Sequence, residues 1–139
     1  MAAWLKALGT SADPLPDDWS SSAPSLLRQA SFGRMPGSIE AGDLLVYYAA
    51  GLRKVFAIAE VTAPPYDGGV ERGAWRYLCD VRILTMSPFL RDAPSIDVVS
   101  AARDLKQTMI RRSHIRLDDA EYARIVDVLT APLRKGLAV

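Results

Sequence analysis

The hydrophobic pattern changes character along the chain, and each change predicts an element. Residues 44–49 are apolar throughout, with a Gly42-Asp43 turn signal before them and Gly51 after them. An unbroken apolar run of this length predicts a strand covered on both faces. Residues 55–61 predict the return strand. Strict alternation puts Val55, Ala57, Ala59 and Val61 on one face and Phe56 and Ile58 on the other, and Pro64-Pro65 ends the strand. Residues 75–83 alternate more cleanly. Trp75, Tyr77, Cys79, Val81 and Ile83 share a face opposite Arg76, Asp80 and Arg82, as in a half-buried antiparallel strand that stops at Ser87-Pro88. A short apolar run around Trp4, residues 3–8, predicts a first strand.

Between these strands the pattern breaks. Residues 9–24 are rich in Ser, Asp and Pro and predict a loop whose one large apolar residue is Trp19. Residues 25–29 predict a helical turn with Leu26 and Leu27 inward, and residues 31–37 a second loop. After Pro94 the period lengthens. Val98, Ala102, Leu105 and Met109 recur at helical spacing, predicting a helix over roughly residues 96–106. The last helix carries its own start signal. Asp118 and Glu121 form a capping box, Leu117 and Tyr122 a hydrophobic staple, and Tyr122, Ile125, Val126 and Leu129 a buried stripe. Pro132 and Gly136 are expected to close the domain. The order predicts an α+β fold: one domain over residues 1–139, a compact, mostly antiparallel barrel with helices at its rim.

Composition narrows the class. The chain has 139 residues, half of them apolar, enough for a core without metals or disulfides. A 24% charged fraction with a net charge of +1 neither demands nor excludes a nucleic-acid partner. The one cysteine, Cys79, falls on the apolar face of its strand and predicts a buried, inert thiol. It leaves no internal disulfide and no cysteine-based zinc site, and fits a reducing cytoplasm. Asp13, Asp17 and Asp18 have no partner histidine, so no metal and no cofactor is expected. The N-terminus does not read as a signal peptide, and no stretch approaches the roughly 18 apolar residues of a membrane span.

The segment Gly42-Asp43-Leu-Leu-Val-Tyr47-Tyr48, the following Val/Ile-rich strand, Pro65-Tyr66, Trp75 and the Asp80-Val81 strand resemble the EVE domain. So does the closing segment from His114 to Ile125, a short strand running into a capped helix. EVE domains belong to the PUA-like superfamily, with the YTH and ASCH domains. The resemblance implies a partly open β-barrel, an aromatic-lined pocket, and binding of RNA or of nucleic acid bearing a modified base. Aromatic faces stack on an unpaired base for roughly 1–3 kcal/mol each, while basic residues hold the backbone.

Against that expectation the candidate pocket residues are Trp19, Phe32, Tyr47 and Tyr48. Tyr47 and Tyr48 point to opposite faces of one strand, so one is core and the other faces the pocket. Trp4 and Trp75 sit in apolar strand contexts and are assigned to the core. Arg103, Lys106, Arg111, Arg112 and Arg116 form a local basic excess, the best hint of a polyanion partner. Arg111, Arg112, Arg34, Arg53 and Lys54 are the candidate backbone contacts. Asp43 is expected to fix its turn. Two other functions stay open. One is an ASCH-like enzyme acting on RNA or nucleosides, for which Lys54, Tyr48 and His114 are the available catalytic members; the other is a structural or protein-interaction domain.

Overall fold

The structure, a computed structural model, describes residues 1–137, and side chains through residue 131. Seven strands form one curled, half-barrel sheet among the described residues. They are β1 (Ala3–Leu8), β2 (Gln29–Phe32), β3 (Leu44–Ala49), β4 (Lys54–Val61), β5 (Tyr66–Asp67), β6 (Tyr77–Met86) and β7 (His114–Leu117). The order is β2-β6-β4-β3-β1-β7, with β5 added to β6. Among the described residues only β1 and β3 pair in parallel; the other pairs are antiparallel. The helices are α1 (Trp19–Ser22), α2 (Ile96–Val99), α3 (Leu105–Met109) and α4 (Asp119–Leu137).

The sheet has two buried faces, as the unbroken apolar run of β3 requires. Trp4, Leu8, Trp19, Phe32, Tyr47, Phe56 and Cys79 pack inside the curl. Leu5, Val46, Tyr48, Val55 and Ile58 meet Ile96, Leu105, Ile115 and Ile125 on the helix-covered side. Tyr47 and Tyr48 thus separate to opposite faces as expected. The phase assigned to β4 is corrected. The register shift at Tyr47/Tyr48, where Phe56 is the extra residue on β4, puts Phe56, Ala57, Ala59 and Val61 inside and Val55 and Ile58 outside. An extra residue at a bulge resets the two-residue period, which sequence alternation alone does not reveal.

Other boundaries also move. Residues 29–32, expected as the end of a helical turn and the start of a loop, form β2 against β6. The 96–106 helix is two short helices. Ser95 caps α2, Asp104 accepts from the backbone N–H groups of Lys106 and Gln107 to cap α3, and Val98 and Ala102 stay exposed. In α4 the capping box forms as read: Asp118 N–H donates to Glu121 Oε1 at 2.9 Å and Glu121 N–H to Asp118 Oδ1 at 2.7 Å. Glu121 also takes the Arg103 guanidinium at 2.7 Å (Nε–Oε2), which removes Arg103 from the basic excess. Pro132 and Gly136, expected to close the domain, fall within the bounds of α4, where side chains beyond residue 131 lie outside the described part.

Asp43 fixes more than its turn. Its carboxylate accepts from Ala2 N–H, the Trp4 indole N–H and Glu40 N–H, each at 3.0 Å. Burial pushes its pKa up, but these donors and the nearby N-terminal charge outweigh burial and hold it below the ordinary carboxylate value. Trp4 is core, as expected, and this clamp sets where β1 starts.

Candidate functional site

The half-barrel's edge strands are β2 and β7, and they meet through side chains rather than backbone. Phe32 on β2 and His114 on β7 touch ring to ring at 5.3 Å, edge to face, and His114 lies 5.7 Å from Trp4. Between these edges β1 points Trp4, Lys6 and Leu8 into the curl. Lys6 is only 2% exposed. Its Nζ donates to the Ala7 carbonyl at 3.0 Å, sits 4.5 Å from the Phe32 ring centroid and 5.9 Å from that of Trp75. Burial lowers the Lys6 pKa to about 8, against a small upward pull from Cys79.

Over this seam lies a cavity of about 610 Å³. Lys6, Pro14, Leu15, Ser31, Trp75, Arg112 and Ser113 line it. Trp75 is the residue that sequence reasoning missed. The alternation places it in the core of its strand, but the strand begins two residues later, at Tyr77. Trp75 closes a turn kinked at Gly73 (φ +67°) and is 56% exposed. The available signal was Gly73 itself, directly before the Ala74-Trp75 pair: a glycine just ahead of an alternating run marks a change of backbone direction.

A second cavity, of about 520 Å³, abuts the first, sharing Ala7, Gly9, Thr10 and Arg112. Arg53, Lys106, Arg111 and Arg112 line it, with Tyr48 and Ile110. Arg53 and Arg111 both hold left-handed backbone, at φ +58° and +61°. That conformation is uncommon for a residue with a side chain and concentrates at functional sites. Among the described residues no carboxylate lies within ion-pair distance of Arg53, Arg111 or Arg112, whereas Lys106 faces Asp97 at 3.7 Å. The wall between the loops is tight: a Cβ at Gly51 would collide with the Thr10 carbonyl.

The expected site residues therefore divide. Arg53, Arg111 and Arg112 come together. Arg34 is exposed on its own loop and lines neither cavity, and Lys54 spends its ammonium on the Ala93 carbonyl at 2.9 Å. Trp19, expected over a pocket, is fully buried against Tyr47 and Phe56, its indole N–H on the Ser87 carbonyl at 2.8 Å. A large aromatic in a polar loop is here the plug of the curl's interior. Tyr47 is likewise core, its hydroxyl on the Leu26 carbonyl, and burial raises its pKa. Phe32 lies beneath Lys6, and Tyr48, 4% exposed, backs the second cavity. None of the four offers a free face.

Cys79 is buried, its thiol pushed up to about 11 by burial and Asp80. His114 is lowered by burial and then by Lys6, which keeps the ring neutral near pH 7. Its Nδ1 lies 2.6 Å from Ser113 Oγ. The proposed trio of Lys54, Tyr48 and His114 does not assemble: Lys54 is turned to Ala93, and Tyr48 and His114 belong to opposite faces of the sheet. Of the loop acids, Asp17 pairs with Arg91, Asp18 accepts from Ser22 Oγ, and Asp13 lines the first cavity.

No protein-family model matches the chain, and no curated protein matches it. Solved structures do. A Pseudomonas putida protein superposes with a TM-score of 0.60 at 17% identity over 91% of this chain and 99% of that one. Agrobacterium tumefaciens protein Atu2648 gives 0.58 at 15%, over 90% of each chain. The Mmi1 YTH domain, solved in complex with RNA, gives 0.58 at 5%, over 97% of this chain and 82% of that one. The sheet and its helices are consistent with a small PUA-like barrel. At these identities the likeness concerns the fold alone. Among the described residues no helix is long and apolar enough to cross a membrane.

Proposed function

We propose that the chain is a non-catalytic nucleic-acid-binding module of the EVE type, which reads an unpaired or modified base. The observation that carries this reading is the pair of abutting cavities, one with an exposed tryptophan and the other lined by four cations. A base extruded from its strand stacks on Trp75, and the flanking phosphates run past Arg112 to Arg53 and Arg111. The solved Mmi1 YTH–RNA complex supports the reading through the shared fold. A reducing cytoplasm fits the lone buried cysteine. The test is a binding screen with single-stranded RNA and DNA carrying normal and methylated bases. Binding that Trp75→Ala weakens at every salt concentration, with Arg112→Ala flattening the salt dependence, supports it. No binding of any strand at tens of micromolar sinks it.

A second reading is favoured by one contact. Ser113 Oγ lies against a neutral His114 at the first cavity, a nucleophile–base pairing that an enzyme acting on RNA or a nucleoside would use. Turnover of RNA or nucleosides that is lost in Ser113→Ala supports it, and intact substrate after prolonged incubation rejects it.

A further inference from the structure

We infer that Lys6 sets base selectivity in the first cavity, donating to the oxo edge of the base stacked on Trp75, so that guanine and uracil bind in preference to adenine. The inference rests on the nucleic-acid reading above and assigns the ligand class of that site.

A lysine ammonium has three donors, and one is used, on Ala7. Buried lysines are ordinarily paired with a carboxylate. Among the described residues none lies within ion-pair distance of Lys6. Its surroundings are instead two aromatic rings, a thiol and a neutral histidine. The charge is therefore held in the cavity wall with donors to spare, and an acceptor arriving with the ligand completes its shell.

The chemistry of that acceptor follows from the setting. Nζ lies 5.9 Å from the centroid of the exposed Trp75 ring, so a flat group stacked on Trp75 brings its edge toward the ammonium. A phosphate is better served next door, where Arg53, Arg111 and Arg112 gather. At the exocyclic position guanine presents O6 and uracil O4, both acceptors, while adenine presents its N6 amino donor; N7 accepts on guanine and adenine alike and does not discriminate. An ammonium facing an amino group gains nothing and stays unpaired.

The experiment uses seven-nucleotide single strands that differ only at the central base: guanine, 2-aminopurine, uracil, adenine or an abasic site. The full chain is expected to bind central guanine and uracil roughly tenfold tighter than adenine or the abasic strand, the worth of one charge-assisted hydrogen bond. 2-Aminopurine stacks but lacks O6, so it should lose the same tenfold with the protein unaltered, which removes any doubt about folding of a variant. Lys6→Met should bind all four bases alike. Equal affinities in the unaltered protein, or a preference that survives in Lys6→Met, overturn the inference and leave the nucleic-acid reading standing. So does inorganic phosphate abolishing the preference, which would assign Lys6 to a phosphate. Failure to bind any strand overturns both.

Discussion

Replacing Lys6 with Met should stabilise the protein near neutral pH and make the gain vanish in base. Burial lowers the Lys6 pKa from its ordinary 10.5 to about 8. Below pH 8 the amine is charged in both folded and unfolded chains, and the folded state carries the whole desolvation cost. Between pH 8 and 10.5 the unfolded chain binds the extra proton, so stability rises with pH across that window. At 1.36 kcal/mol per pKa unit the full effect is about 3 kcal/mol, and about 2 kcal/mol of it falls between pH 7 and 9.5. The charged groups around Lys6 do not blur this. His114 is held below its ordinary value by burial and Cys79 is raised to about 11. Groups that titrate only in the unfolded chain are common to both proteins and cancel in the difference. The assay is urea unfolding of both proteins at half-unit intervals from pH 6.5 to 9.5. The stability of the native protein relative to Lys6→Met should climb by about 2 kcal/mol between pH 7 and 9.5. A difference flat with pH would mean that Lys6 is hydrated and that the cavity does not shield it.

Trp75→Ala should leave the melting temperature nearly unchanged, since the side chain is half exposed, while base stacking worth roughly 1–3 kcal/mol is lost. Trp19→Ala should instead destabilise by roughly 3–5 kcal/mol through a core cavity, and thermal melts of the two variants separate site from plug. Arg111→Gly should relieve left-handed backbone and stabilise by about 1 kcal/mol in denaturant, while the slope of log single-strand affinity against log salt falls by about 0.7. Gly51→Ala should drive the Thr10 loop aside, and a loss of strand affinity in titration larger than its loss of stability would show that the loops shape both cavities.

Much of the frame was legible in the residues. β3 and its return strand, the alternation of β6, the Asp43 turn and the Asp118–Glu121 cap all rest on local chemistry that neighbours in the chain enforce. Arg111 and Arg112 were visible as a charge excess, and Arg53 as a basic pair with Lys54. The pocket was not legible, because its members come from β1 and the loop after it, β2, the turn before β6 and the residues just before β7, distant segments that meet only at the seam of the half-barrel. Trp19 and Trp75 exchanged roles for the same reason. A tryptophan in a polar loop is core if the curl leaves a hole beneath it, and one beside an apolar strand is exposed if a glycine turns the chain just before it. Periodicity and capping are short-range and fixed by the sequence itself. Which side chains a curling sheet encloses, and that Lys6 is buried with no carboxylate within ion-pair distance among the described residues, depend on strand order and on the bulges that reset phase, and only the tertiary structure decides those.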